Sequence, residues 1–333
     1  MNKNATTIGD VARRSFVSKT TVSHVINGTR FVEEATKRRV LDAIAELGYR
    51  PSTVARSLTT KRTGNIGMIV SDAANQFFGE MLRGIEEELK PANYAVIVCN
   101  TDEELDREEH YLDLLLSQRV DGIIAAATSQ KWGALNIAEA NHTPIVFVDR
   151  RFEGLNGPYV GADNTGGARA GARFLIERGY REIGIIAGFQ RLSSMRERLQ
   201  GFRSALEESD IPLPDEWVVT SPLSHESGRE AARQILTLPR RPRALFINNN
   251  LLSLGTLVAV KDLGLRCPED VALLGFDDHP WAAISNPPLT VVSQPAREIG
   301  RRAAQSLRKL MDGMEITEPV TELECELIIR DSC

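Results

Sequence analysis

From Asn65 onward the chain alternates short, almost wholly apolar runs with longer amphipathic segments, and this alternation limits the fold more than any other feature. Strands are predicted over Ile66–Val70, Ala95–Cys99, Gly122–Ala127, Ile145–Val148, Ile183–Ala187, Trp217–Thr220, Ala244–Ile247 and Val271–Phe276. Helices are predicted between them, over Phe77–Leu89, Leu105–Gln118, Gly166–Gly179, Glu197–Glu208, Glu226–Leu236 and Leu252–Leu263. Continuous Val/Ile/Ala runs belong to strands buried on both faces, and strand–helix alternation makes their sheet parallel. Eight strands are too many for one small sheet, and 333 residues are long for one core. Two doubly wound α/β lobes are therefore expected, with a small-ligand cleft between them at the strand ends.

The first 62 residues have another texture. Two short helical patterns meet at a turn: one from about Ile8 to Arg14, the next opening at Ser18, a residue suited to cap a helix start. On the second, Val22, Val25 and Ile26 share one face, while Thr20, His24 and Asn27 line the opposite face with Lys19 beside them. A third helix is predicted from Glu33 to Leu47, ended by Gly48, and a short one over 52–58 that is marginal alone. A polar helix backed by a small core is what a DNA major groove accepts. The charge agrees. Residues 1–62 hold 12 Lys and Arg against 5 Asp and Glu, net +7, leaving 28 against 40, net −12, for the remainder of an acidic chain. The polyanion partner is thereby placed at the N-terminal segment.

Read in order, these residues resemble the LacI/GalR family of bacterial transcription regulators over essentially the whole chain. The marks are Ile8-Gly-Asp-Val-Ala, Val17-Ser-Lys-Thr-Thr-Val-Ser, Glu46-Leu-Gly-Tyr-Arg-Pro, Val54-Ala-Arg-Ser-Leu, Phe77-Phe78, Val120-Asp-Gly-Ile-Ile, Gly275-Phe-Asp-Asp and Pro287-Pro-Leu-Thr. The resemblance implies a helix-turn-helix headpiece at 1–48, a hinge helix and linker at 49–63, and an effector-binding core at 64–333 like that of periplasmic sugar-binding proteins. It also implies chain crossings between the lobes, with an N-lobe of about 64–162 and 291–325 and a C-lobe of about 163–290 and 326–333. DNA contacts are implied for Thr7, Ser18, Lys19, Thr20, Thr21, Ser23, His24 and Asn27. In the hinge they are implied for Val54, Ala55 and Leu58, the last as a wedge in the minor groove. Two departures stand out. Phe16 occupies a turn position where the family usually has Gly, and a bulky residue resists positive φ there. Glu33 replaces the usual Ser cap of the third helix.

Effector contacts are implied for Ser71, Phe77, Phe78, Asp149, Ser194, Arg198, Asn249, Asp277 and Trp281. Carboxylates and amides exchange hydrogen bonds with sugar hydroxyls, and Arg offers a planar fork of donors. Asp149 and Asp277 also suit helix caps, and Trp281 suits either a sugar-stacking role or the lobe core. Gln76, Asn250 and Leu251 depart from the family pattern around this pocket, so no relative's ligand transfers directly. A sugar or sugar derivative is expected; a phosphorylated sugar is the alternative, for which no Lys or Arg cluster argues strongly. The expected function is sequence-specific repression of transcription at a pseudo-palindromic operator, by a cytoplasmic homodimer under effector control.

Other classes fit less well. No phosphate-binding, dinucleotide, zinc-protease or nucleophile-elbow motif is present. Cys99, Cys267, Cys325 and Cys333 are scattered, which suggests neither a zinc site nor a disulfide framework. No catalytic residue, metal or cofactor is expected. A periplasmic binding protein would share the lobes, but it would carry a signal peptide in place of a basic three-helix segment. No membrane partner is expected.

Overall fold

The computed structural model describes residues 6–50, 62–128, 141–151 and 157–333. The chain divides into two compact units, Met1–Gly64 and Asn65–Cys333.

The first unit contains α1 (Ile8–Ser15), α2 (Lys19–Asn27) and α3 (Glu34–Leu47) around a small core of Val11, Ala12, Val22, Val40 and Ala43. Thr7 opens α1: its backbone N–H and its hydroxyl both donate to Asp10 Oδ2, at 2.9 and 2.7 Å. Those bonds, led by the hydroxyl's, hold the Asp10 carboxyl below the usual carboxylate range. Helix α1 stops at Phe16, whose backbone is left-handed (φ 56°, ψ 41°) and whose ring is 85% exposed. The turn thus keeps the geometry that suits Gly, and the Phe takes it up under strain of about 1–2 kcal/mol. Ser18 caps α2 by accepting from the Thr21 backbone N–H at 3.0 Å, and Gly28 ends it at φ 63°. Glu33 precedes α3 with no side-chain capping bond.

The second unit holds two six-stranded sheets. The first has the order β11-β5-β4-β3-β1-β2 and is parallel throughout, from β1 (Asn65–Val70), β2 (Ala95–Asn100), β3 (Gly122–Ala125), β4 (Ile145–Val148), β5 (Tyr159–Ala162) and β11 (Val320–Leu323). The second has the order β12-β10-β9-β8-β6-β7, from β6 (Ile183–Ala187), β7 (Val218–Thr220), β8 (Ala244–Ile247), β9 (Ala272–Phe276), β10 (Thr290–Ser293) and β12 (Glu326–Ile328); only β12 runs antiparallel. Each sheet is buried on both faces, the first between clusters that include Ile66 and Ile69, the second between clusters that include Ile185 and Ile186. All eight runs read as strands from sequence are strands; six lie inside the sheets and are buried almost throughout, and Ala95–Asn100 and Val218–Thr220 form half-exposed edges.

The chain crosses between the sheets three times, after β5, after β10 and after β11. One expected boundary is corrected. Residues 291–293 lie in β10 of the second sheet, where Val291 and Val292 fill its two core layers, so the return to the first lobe begins after Ser293. The returning segment forms helix Ala296–Met311, which packs along helix Gln76–Leu89. Gly84 and Gly300 permit this contact: a Cβ on Gly84 would collide with the Arg297 carbonyl, and one on Gly300 with the Met81 carbonyl. No described helix is long and apolar enough to cross a membrane.

Candidate DNA-reading helix and effector cavity

Helix α2 buries Val22 and leaves its polar side in solvent. Ser18 and Thr21 are committed to its start, their hydroxyls 2.9 Å apart, and Asn27 Nδ2 donates to Ser23 Oγ at 3.2 Å. The Lys19 tail lies against Gly9 of α1: a Cβ there would stand 3.2 Å from Lys19 Cε. His24 Nδ1 is 2.7 Å from the Thr29 hydroxyl in the loop that follows. Arg14 pairs with Glu46 of α3 at 2.7 Å. The expected contacts Val54, Ala55 and Leu58, and with them most of the hinge, lie outside the described residues.

In the second unit a cavity of about 220 Å³ opens between the two sheets. Of the expected effector residues, Ser71, Phe77, Phe78, Asp149, Arg198, Asn249 and Asp277 line it. Their positions follow from the fold. Asp149 terminates β4 and Asp277 terminates β9, both with left-handed backbones (φ 64° and 76°), so equivalent strand ends of the two lobes present a carboxylate to one space. Phe77 and Phe78 begin helix Gln76–Leu89 with rings in edge contact, centroids 5.1 Å apart. Asn249 caps helix Asn250–Asp262 by accepting from the Leu251 backbone N–H at 2.9 Å, so capping and cavity lining fall on one side chain.

Arg198 is the hub of the C-lobe wall. It is 1% exposed; its Nε donates to Asn164 Oδ1 and its Nη1 to the Asn248 carbonyl, each at 2.8 Å. Asp277 Oδ2 lies 3.9 Å from it, and its guanidinium sits 3.7 Å from the centre of the Phe276 ring. On the other wall Arg150 forks onto Glu103 at 2.6 and 2.8 Å and reaches Ser71 Oγ at 3.3 Å. Burial pushes the Asp149 carboxyl up, and the facing Arg150 and Arg198 only partly offset this.

Two expected residues are not on this wall. Ser194 is buried within helix Ser193–Glu207, and it is Ser193 whose hydroxyl accepts from the Arg151 backbone N–H at 2.7 Å. Trp281 stacks on His279, ring centres 5.8 Å apart, and packs into the C-lobe core. Pro280 starts a short helix there, and Trp281 is not among the residues that line the cavity. Sequence reading missed Asp72, Asp102, Glu103, Arg150 and Gln294, all on loops or strand ends with no periodicity to mark them. It also missed His279, which is buried between the lobes: its Nδ1 is 3.2 Å from Gln76 Oε1 on the N-lobe, and its Nε2 contacts Asn250 Nδ2 on its own lobe. Asn250 in turn donates to Asn75 Oδ1 across the cleft at 2.9 Å.

Comparison with known proteins decides the family. The family description "Bacterial regulatory proteins, lacI family" matches residues 7–52, and "Periplasmic binding protein-like domain" matches residues 172–333. The HTH-type transcriptional repressor PurR of Photobacterium profundum is 36% identical over 98% of this chain and 98% of its own. The chain belongs to the LacI family of bacterial regulatory proteins. This LacI-family regulator also aligns with the crystal structure of the lac repressor dimer bound to operator and the anti-inducer ONPF, at 27% identity and TM-score 0.89, covering 99% of each chain. It aligns with the transcriptional regulator CelR–cellobiose complex at 32% identity and TM-score 0.75, covering 98% of this chain and 100% of that one. Like its family, it is a DNA-binding repressor of transcription controlled by a small-molecule effector, and not an enzyme.

Proposed function

We propose that this regulator represses transcription as a homodimer whose two headpieces read the halves of a pseudo-palindromic operator, and that its effector is a neutral polyhydroxyl compound, a sugar or sugar derivative. In each headpiece Lys19, Thr20 and His24 read base edges from α2, and Thr7, Ser18, Thr21, Ser23 and Asn27 contact the DNA around them. Val54, Ala55 and Leu58 act from the hinge. The dimer finds support in the lac repressor structure, a dimer on its operator. Major-groove reading finds support in the polar outer face of α2 on a basic segment.

The observation that carries the effector class is the charge of the cavity wall. Asp72, Asp102, Glu103, Asp149 and Asp277 outnumber Arg150 and Arg198, and both arginines already have protein acceptors. A phosphate would meet surplus negative charge and two arginines already bonded to protein acceptors. Hydroxyl groups suit this wall, because they donate to carboxylates and accept from amides such as Asn249. Phe77 and Phe78 supply an apolar face for a sugar ring, the role expected of Trp281. The volume fits a ligand smaller than drug size. CelR, a structural neighbour, is described in complex with cellobiose.

Calorimetry on the intact protein with neutral mono- and disaccharides, their phosphates, and nucleobases tests the class. A neutral sugar is expected to bind, and its phosphate more weakly. Tight binding of a phosphate or nucleobase, with every neutral sugar silent, would overturn the assignment.

A further inference from the structure

The Thr29 hydroxyl lies 2.7 Å from His24 Nδ1, five residues back. Residues five apart do not face each other on a straight helix. They meet here because Gly28 takes a left-handed backbone, its N–H donating to the His24 carbonyl at 2.9 Å, and turns the chain back along the helix side that carries His24. Both side chains lie in exposed surroundings, so neither is needed to fill the headpiece core.

We propose that Thr29 is a positioning residue for base reading, holding the His24 imidazole by one edge so that Nε2 faces the groove as a hydrogen-bond donor. The inference rests on the reading of His24 as a base contact made above. An imidazole hinged only at its own side-chain bonds can offer either nitrogen, in either protonation pattern, to a base. The bond to Thr29 removes that freedom. In the proposed state it is the Thr29 hydroxyl that donates to Nδ1. With that hydroxyl donating to Nδ1, the ring hydrogen sits on Nε2. An Nε2–H pairs with the major-groove acceptors of guanine, with adenine N7 or with thymine O4, and not with the amino groups of cytosine or adenine. Thr29 thereby restricts His24 to acceptor atoms on the base edges it meets, without touching DNA itself.

The test uses the full-length protein and a preferred site selected from a randomised duplex library. Wild type, Thr29→Val, Thr29→Ser, His24→Ala and the double variant Thr29→Val/His24→Ala are compared on single-base variants of that site. Thr29→Val preserves size and removes the hydroxyl. It is expected to lose about fivefold in discrimination at the base pair that His24→Ala also relaxes, the worth of one modest hydrogen bond. Thr29→Ser is expected to restore it, and the double variant to be no worse than His24→Ala. Affinity for non-specific DNA and its salt dependence should not move. If His24→Ala relaxes a base pair and Thr29→Val leaves that pair fully discriminated, the positioning role is overturned while the reading of His24 stands. If Thr29→Val weakens all sequences alike and lowers the salt slope, Thr29 is a phosphate contact and the proposal fails. If His24→Ala relaxes no base pair, the reading of His24 falls and the proposal with it.

Discussion

Single residues carry two kinds of tension in this molecule. Phe16 holds a left-handed turn that its Cβ disfavours, with its ring in water. Phe16→Gly is expected to stabilise the headpiece by about 0.5–1 kcal/mol, the relief of left-handed strain less the extra freedom Gly gains when unfolded. A denaturation midpoint for the headpiece transition that fails to rise would remove strain as the account of this turn. Arg198 and Asp277 illustrate the other tension. Truncating Arg198 would strip partners from Asn164 and the Asn248 carbonyl, and would cost about 3 kcal/mol or more in a buried network. Asp277→Asn is the cleaner probe, since an amide can still accept from Gln294. It is expected to weaken effector binding roughly tenfold to a hundredfold, by loss of a charged acceptor, while leaving operator affinity without effector unchanged. Unaltered calorimetric affinity would take Asp277 out of the site. Trp281→Phe should leave that affinity alone, because the indole belongs to the core around His279.

At the scale of elements, the helix pair Gln76–Leu89 and Ala296–Met311 is held by backbone approach as much as by side chains, with Gly84 and Gly300 each against a carbonyl of the other helix. Gly300→Val would drive the helices apart and open the layer around Met81, Ile85 and Ile299. An overpacking cost of about 3 kcal/mol or more is expected, read as a lowered urea midpoint with unchanged slope; a midpoint equal to wild type would mean the pair is looser than described. Which elements were legible in the sequence follows from the same physics. Strands β1, β3, β4, β6, β8 and β9 announce themselves because they are buried almost throughout and must be apolar, and the half-exposed edge strands β2 and β7 because their short Val-rich runs still interrupt the helical pattern. Strand β5, Tyr-Val-Gly-Ala after Pro158, is four residues long and interrupted by Gly. Strands β11 and β12 lie at sheet edges and alternate with exposed Glu322 and Glu326, so neither offers an apolar run. The cavity was half legible. Side chains at the ends of recognisable strands and helices, such as Asp149, Asp277 and Asn249, could be placed. Glu103 and Arg150 could not, because only the fold brings them together across 47 residues.

For the whole molecule, the contacts between lobes matter most, and His279 sits among them. Its ring faces Gln76 from the N-lobe helix, Asn250 from its own lobe and Trp281 beside it, with Asp277 and Asp278 the charged groups near it. Burial lowers its pKa below the ordinary 6.5, outweighing the two aspartates, so this lobe arrangement favours the neutral ring. The arrangement therefore keeps its full contribution above pH 6.5 and loses it as pH falls from there through the depressed value. An effector that binds this arrangement should bind more weakly as pH drops through that window, and His279→Gln should flatten the dependence. Calorimetry across the window checks this: the same slope in wild type and His279→Gln would show that another group carries it.

The three crossings also determine the order in which a chain leaving the ribosome can finish its parts. Within the second unit residues 65–162 emerge first, yet the helix Ala296–Met311 that covers their core and the strand β11 that closes the β5 edge are made only after the whole sequence of the second sheet up to β10. The lobe begun first is thus completed after most of the other has been synthesised, and until then it exposes an apolar helix face and an unpaired parallel edge. During synthesis neither lobe can serve as a finished foundation for the next, in contrast to the domain-by-domain order usual for chains of this length.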